Sequence, residues 1–352
     1  MTEPYPELAL RREPKLRSKT PLCKDARKQV NGDDIDSQGM GLRDIIKEER
    51  KHDDYDRYER IGTAQSQFTR SKAATDAQIG DYEVGRLIGS GMIGVVAVAR
   101  HHISKRIVVL KCMSVDKIIE KNLMLNVKGE IDIHYDLSGE KNILPLLKTM
   151  VRDEEIVMVT PYIPGRDLYK FMMAKKHRHL TEFQSHRVFT QLLGAIKSCH
   201  SRRIIHRDIK PENIMIDPDY RIYLSDFGLA VRLSTDSHVG RAGTSCYYPY
   251  EMVTNQRYDT RADLWCMGVL MVEMLFGVLP FEQNKQTKDY ADSITRLAFR
   301  LPNNTPHKAI AVSDSARDLI RRLLVPQNRR LTLAQVEAHP WVLRTFSNKE
   351  ML

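Results

Sequence analysis

HRDIKPENIMID, residues 206–217, sets one aspartate, Asp208, between the cations Arg207 and Lys210 and places an amide, Asn213, five residues after it. Ile204 and Ile205 precede the run, and Ile214, Met215 and Ile216 close it. Charges in a solvated loop only add solubility, but a polar cluster pinned between two apolar runs is costly unless its groups have partners. The rest of the chain has to supply them.

Hydrophobic residues make up 42% and charged residues 28% of the 352, which suits a globular protein of one large or two ordinary domains with tails. The formal net charge of +10 favours acidic partners such as nucleotide phosphates, nucleic acid or anionic membrane, without choosing among them. Five cysteines (Cys23, Cys112, Cys199, Cys246, Cys266) are scattered with no CxxC pair. That speaks against a disulfide framework and a zinc site and for a reducing compartment. Cys246 reads as a small packed residue rather than a reactive thiol. MTEPYPELALRREPK lacks an apolar signal region, and the most apolar run, GVLMVEMLFGVLP at 268–280, is too short for a bilayer and contains Glu273. No membrane span is expected, and the protein is expected inside the cell, in the cytoplasm or nucleus.

Residues 1–79 are poor in aliphatic runs and rich in mixed charge, as in KEERKHDDYDRYER at 47–60. Such a segment buries too little apolar surface to offset chain entropy. A disordered, charged N-terminal extension is expected, with a short helix near Leu42 to Arg60. Its basic run RREPKLRSK reads as part of a solvated tail; a docking site for a partner is the competing reading. From Asp81 the texture changes. DYEVGRLIGSGMIGVVAVAR, RIVVLKCM and EEIVMVTPYI predict strands, and MLNVKGEIDIHYDL at 124–137 a helix. EFQSHRVFTQLLGAIKSCH places Phe189, Leu192, Leu193, Ile196 and Cys199 on one helical face. NIMID and RIYLSD predict two short strands, and 262–276 a further apolar helix. A small β-rich lobe is followed by a larger helical one.

GSGMIG at 89–94 fits G-x-G-x-x-G, whose glycines let backbone amides come close to phosphates. In a dinucleotide-binding fold this motif opens a helix. Here the β-branched VVAVAR follows, so the glycines are expected at a hairpin tip lying over a nucleotide, with a plain glycine hairpin as the alternative. Lys111, on an apolar strand, needs an anion: a nucleotide phosphate, or Glu130 on the predicted helix when no nucleotide is bound. Alone, either residue reads as an exposed charge; with the glycine loop they read as a phosphate site. Asp226 ends RIYLSD and begins DFG, a position suited to Mg²⁺ bridging phosphate oxygens, and Asn213 offers a second oxygen. The opening cluster then finds its partners. Asp208 accepts a proton from, or orients, an attacking hydroxyl; Lys210 balances charge on the transferred phosphoryl group; Asn213 holds metal.

From about Asp81 to Trp341 the chain resembles a eukaryotic-type protein kinase. GSGMIGVV, the lysine of VVLK, HRDIKPEN, DFG, DLWCMG with Asp263, and Arg330 of RRLT as partner of Glu251 follow in the family's order. Lys210 in DIKPEN resembles the serine/threonine branch. The resemblance implies an α+β, bilobal kinase fold, with an N-lobe over about 81–161, a C-lobe over about 164–341 and a short tail over 342–352. It implies Mg²⁺-dependent transfer of the γ-phosphoryl group of ATP to Ser and Thr hydroxyls of protein substrates; nucleic acid is not an expected partner. Asp208, Lys210, Lys111 and Glu130 become the catalytic set, and Asn213 and Asp226 the metal ligands. The nucleotide site becomes Ile88, Gly89, Ser90, Gly91, Met92, Ile93, Gly94, Val95, Val96 and Lys111. To these it adds the gatekeeper Thr160, the carbonyl of Pro161 and the N–H of Ile163, since proline loses only its own N–H. His206 and Phe227 would join a packed spine, and Asp263 would brace the catalytic loop.

Several positions depart from the family pattern. Ile93 stands where an aromatic is common, Val109 where alanine is usual, His134 at an often apolar spine position, and YYPYE replaces the APE ending while keeping Glu251. Glu212 and Glu273 match positions that receive an upstream arginine in basophilic members, and Leu229 resembles the choice associated with serine. Arg207 usually pairs with an activation-segment phosphate, yet the customary phosphosite is Gly240, which has no hydroxyl. Ser237, Thr235 and Ser234 are the nearest candidates, Asp236 offers Arg207 a permanent anion, and Thr244 is expected at the catalytic loop. Partial activity without activation-segment phosphorylation follows as an expectation, with Ser237 the best site for any further gain. A non-catalytic scaffold that binds nucleotide is the alternative class, but it has no need to keep Lys111, Asp208, Asn213 and Asp226 together.

Overall fold

A computed structural model of the chain describes residues 78–152, 154–234, 238–281, 290–297, 299, 301 and 312–347. The expected extension up to residue 77, with its short helix and basic docking run, lies outside the described residues, as do Thr235, Asp236 and Ser237. The last two residues of that expected extension are strand, because Gln78 and Ile79 pair with Glu83 and Tyr82.

Six strands form one antiparallel sheet in the order β1-β2-β3-β4-β6-β5: β1 Gln78–Ile79, β2 Tyr82–Ser90, β3 Gly94–His101, β4 Ile107–Ser114, β5 Lys148–Arg152 and β6 Glu155–Pro161. One face closes over Val84, Ala97, Ala99, Val108, Leu110, Cys112, Val157 and Val159. The two-residue period of a strand therefore turns Val109 and Lys111 to the opposite face. Register completes that face by setting Val96 beside Lys111 and Thr160 beside Val109. Helix α1, Val115–Glu120, starts at the Ser114 cap, and α2, Met124–Leu137, buries Glu130, Ile131, Ile133, His134 and Leu137.

The large lobe begins with β7, Arg166–Asp167, and α3, Leu168–Met173. Helix α4, Glu182–Ser201, opens with a capping box between Thr181 and Gln184 and buries the predicted face through Phe189, Leu192, Leu193, Ile196 and Cys199. Strand β8, Ile204–Ile205, pairs with β11, Val231–Arg232, while β9, Ile214–Ile216, lies between β10, Ile222–Leu224, and β7. The expected strands NIMID and RIYLSD are shorter than predicted. Pro211–Asn213 forms a 3₁₀ turn, and Asp226 leaves the strand with φ 62°. After α5, Tyr250–Val253, helix α6, Arg261–Phe276, is buried almost all round, so its apolar run is lobe core. Helices α7, Tyr290–Thr295, α8, Asp314–Leu323, and α9, Leu333–Glu337, complete the lobe together with the buried Trp341. No helix among the described residues is long and apolar enough to cross a membrane.

Candidate active site

The catalytic loop hangs from one buried carboxylate. Asp263, on the first turn of α6, accepts the backbone N–H groups of His206 and Arg207 at 3.0 Å each and faces His200 Nε2 at 2.9 Å. Burial works to raise this carboxyl, but the bond from His200, the nearness of the two imidazoles and the Arg207 N–H hold it below the usual carboxylate range. Arg207 takes φ 67°, a left-handed conformation that a non-glycine residue keeps only when its surroundings enforce it. His206 accepts the Asp208 N–H at Nδ1 (3.3 Å), so its proton sits on Nε2 and is donated to the Ser225 carbonyl at 3.1 Å.

Both oxygens of Asp208 are engaged. Thr244 Oγ1 donates to Oδ1 at 2.9 Å, Asn213 Nδ2 donates to Oδ2 at 2.8 Å, and Lys210 Nζ lies 2.8 Å from Oδ2. Lys210 Nζ also donates to Thr244 Oγ1 at 2.8 Å, which ties the activation segment to the loop. Gly243 makes that approach possible. At φ 107° its missing Cβ would stand 2.4 Å from the Arg207 carbonyl. Asn213 directs its amide nitrogen to both the carbonyl and the carboxylate of Asp208, leaving the amide oxygen available to a cation.

Lys111 reaches the cleft from β4. Its Nζ donates to Glu130 Oε1 at 2.5 Å and lies 3.7 Å from Asp226 Oδ1. Burial disfavours the ammonium charge, yet Glu130 and Asp226 outweigh it and keep Lys111 protonated above its usual range. Burial also works to raise Asp226, but Lys111, then His206, hold that carboxyl below the ordinary range. Phe227 is fully buried between two imidazoles, with ring centroids 5.1 Å from His134 and 5.0 Å from His206. His134 Nε2 bonds the Leu144 carbonyl at 2.7 Å, and burial lowers its pKa to about 4, so it remains neutral.

The glycine segment is a hairpin between β2 and β3, closed by Gly91 N–H on the Gly94 carbonyl at 2.8 Å. Ile88 and Met92 are exposed, and Gly89, Ser90 and Gly91 lie beside them. Ile93 accepts Ser114 N–H at 2.9 Å, and Val95 pairs with Cys112. Gly94 has a second reason to be glycine: a Cβ there would sit 1.9 Å from the Cys112 carbonyl oxygen. At the far end of the face, Thr160 and Pro161 close β6, and Ile163 follows, buried, with its carbonyl held by Gly165 N–H at 2.8 Å.

On the outer side of the loop, Tyr247 donates its hydroxyl to Glu273. Burial raises the Glu273 carboxyl to about 7 against the pull of that bond, with Glu212 adding to the rise. Burial, then Glu273, lifts the nearby Cys246 thiol to about 11, which keeps it neutral. Farther down, Arg330 grips Glu251 through two bonds of 2.6 and 2.8 Å, as expected from the motif order. Three residues that sequence reasoning missed join the site: His200 on Asp263, and His238 and Tyr258 on Arg207. Nothing in STDSHVG marks His238, since a half-buried residue in a polar stretch leaves no periodicity.

The sequence matches the family model described as the protein kinase domain over residues 82–342. It is 35% identical over 265 residues to Aurora kinase C of Mus musculus, spanning 75% of this chain and 92% of that protein. It is 34% identical over 282 residues to an Aurora kinase of Patiria pectinifera, spanning 80% and 67%. With Aurora kinase B of Mus musculus the identity is 33% over 282 residues, spanning 80% and 78%.

Proposed function

The chain belongs to the eukaryotic-type serine/threonine protein kinases, and from that premise we propose how its own residues carry the transfer. It is an ATP-dependent protein serine/threonine kinase. In our reading Asp208 orients the substrate hydroxyl and takes its proton as the new O–P bond forms and the bond to the leaving ADP oxygen breaks. The observation that carries this is the immobilised Asp208 carboxylate, with Thr244 on one oxygen and Asn213 and Lys210 on the other. Lys210 offsets charge on the moving phosphoryl group, and Lys111, positioned by Glu130, holds the nucleotide phosphates.

Among the described residues there is no group of three His, Cys, Asp or Glu side chains able to hold a metal ion. A cation here would rest on the Asp226 carboxylate, the Asn213 amide oxygen and nucleotide phosphates, a donor set that suits Mg²⁺. Bound there, Mg²⁺ supplies charge neutralisation on the phosphate oxygens. The adenine would meet the Pro161 carbonyl and the Ile163 N–H below the segment Ile88 to Val96.

Glu212 and Glu273 are the proposed seat of an arginine upstream of the target, and Leu229 favours serine over threonine. Residues 1–77 are read as an extension outside the catalytic unit, which runs from β1 to about residue 341, with RREPKLRSK in a solvated tail or, as the second reading, a docking run, and the enzyme as acting in the cytoplasm or nucleus. Phosphorylation of a degenerate peptide library by the purified protein with Mg-ATP tests the substrate reading. Serine acceptors with arginine before them are expected; a profile led by proline after the target, or by acidic residues, contradicts it.

A further inference from the structure

The Arg207 guanidinium is received entirely by neutral acceptors among the described residues. Its Nε donates to the Leu229 carbonyl at 2.6 Å, and its Nη1 donates to His238 Nε2 at 3.2 Å and to the Tyr258 hydroxyl at 3.4 Å. His238 is itself fixed. It exchanges two backbone hydrogen bonds with Tyr258, of 2.7 and 2.9 Å, and its ring lies edge-on to that tyrosine at 5.5 Å. Two residues on, Gly240 has φ 113° and open space around it, and it brings no hydroxyl to the arginine.

Because Nη1 is the donor, Nε2 of His238 carries no proton. We propose that His238 is a positioning residue of the kinase reaction, its neutral imidazole fastening Arg207, and through it the catalytic loop, to the activation segment without any phosphate. The Arg207 backbone holds its left-handed turn directly beside Asp208, so the side-chain anchor bears on the group that meets the substrate hydroxyl. Protonating His238 would turn the acceptor into a donor and set a second positive charge against the guanidinium. The titratable groups that face the ring among the described residues are Arg207 from the catalytic loop and Tyr258 from the stretch before α6. Burial, and then Arg207, hold the imidazole below the usual histidine range. The neutral form therefore persists at neutral pH and is lost as pH falls below that range.

The test uses the full-length protein after phosphatase treatment and measures kcat on one serine peptide from neutral pH down through and below the usual histidine range, for wild type, His238→Gln and His238→Phe. The phenylalanine keeps the edge contact with Tyr258 and accepts nothing, so kcat at neutral pH is expected to fall about tenfold or more, the loss of one hydrogen bond to a charged group. The glutamine accepts through its amide oxygen and does not titrate; it is expected to keep the neutral-pH rate and to lose the acid limb seen in wild type. A phenylalanine variant as active as wild type overturns the proposal. So does a glutamine variant that retains the wild-type acid limb, a wild-type profile with no acid limb below the usual histidine range, or a dephosphorylated wild type without activity. If the phenylalanine variant does not fold, the glutamine profile alone decides.

Discussion

Glu273 accepts the Tyr247 hydroxyl inside the large lobe while burial lifts its carboxyl to about 7. Its charge therefore switches on as pH rises through neutrality. A peptide with arginine upstream of the target serine should gain kcat/KM by about tenfold from the acid to the alkaline side of this step, the worth of one charge-assisted contact. The same peptide with alanine in place of the arginine should show no such gain. The ratio of the two profiles is the measurement, and a pH-independent ratio removes Glu273 from arginine recognition.

Asp208→Asn and Asp226→Asn should each lower kcat by about a thousandfold or more, because transfer depends on positioning and fixed charge. They should part company on nucleotide affinity. Removing the Asp226 carboxylate should weaken Mg-nucleotide binding, whereas Asp208→Asn should spare it. Calorimetric titration with Mg-ADP checks the split. Near-normal turnover by the Asp208 variant would sink the mechanism.

Arg330 and Glu251 are a fully buried pair with side chains 0% and 1% exposed. Arg330 also donates to the Arg261 and Val325 carbonyls at 2.7 and 2.9 Å and lies 5.0 Å over the Trp265 ring. Truncation leaves Glu251 a buried charge without its partner. Arg330→Ala should cost about 3–5 kcal/mol of unfolding free energy. Arg330→Lys should recover only part of that, since one ammonium cannot match a two-pronged carboxylate contact. Denaturant midpoints provide the measure.

Thr160 lies across from Val109 on the sheet face that carries Lys111. Thr160→Gly should open space there and let the enzyme accept ATP analogues with bulky N6 substituents, which the wild type should refuse. A folded variant that uses ATP but rejects every such analogue would mean that Thr160 does not border the adenine.

What is legible in the sequence is what is local in it. Asp208, Lys210 and Asn213 stand within six residues, and their chemistry can be read without knowing the fold. Alternation along IVVLK exposes the odd lysine, but it cannot say that Val96 is its neighbour, because period-2 patterning fixes faces and not pairing partners. The strand limits at Ile214–Ile216 and Ile222–Leu224 escape for a related reason. Runs of three residues are too short to show a period. His200 and His238 act across 63 and 31 residues, on Asp263 and Arg207 respectively, and only folding brings those partners together.

The rings of His134, Phe227 and His206 form a column from α2 to the catalytic loop, with Phe227 between the two imidazoles. Any coupling of two bound ligands through such a column is equal in both directions. Helix α2 also bears Glu130, the grip on Lys111, so the same helix touches what we propose as the phosphate end and, through the column, the hydroxyl end of the reaction. By reciprocity, if a nucleotide held by Lys111 tightens peptide binding at the catalytic loop, the peptide must tighten the nucleotide by the same factor. A peptide docked on that loop should then lower the equilibrium Kd for nucleotide to the same degree.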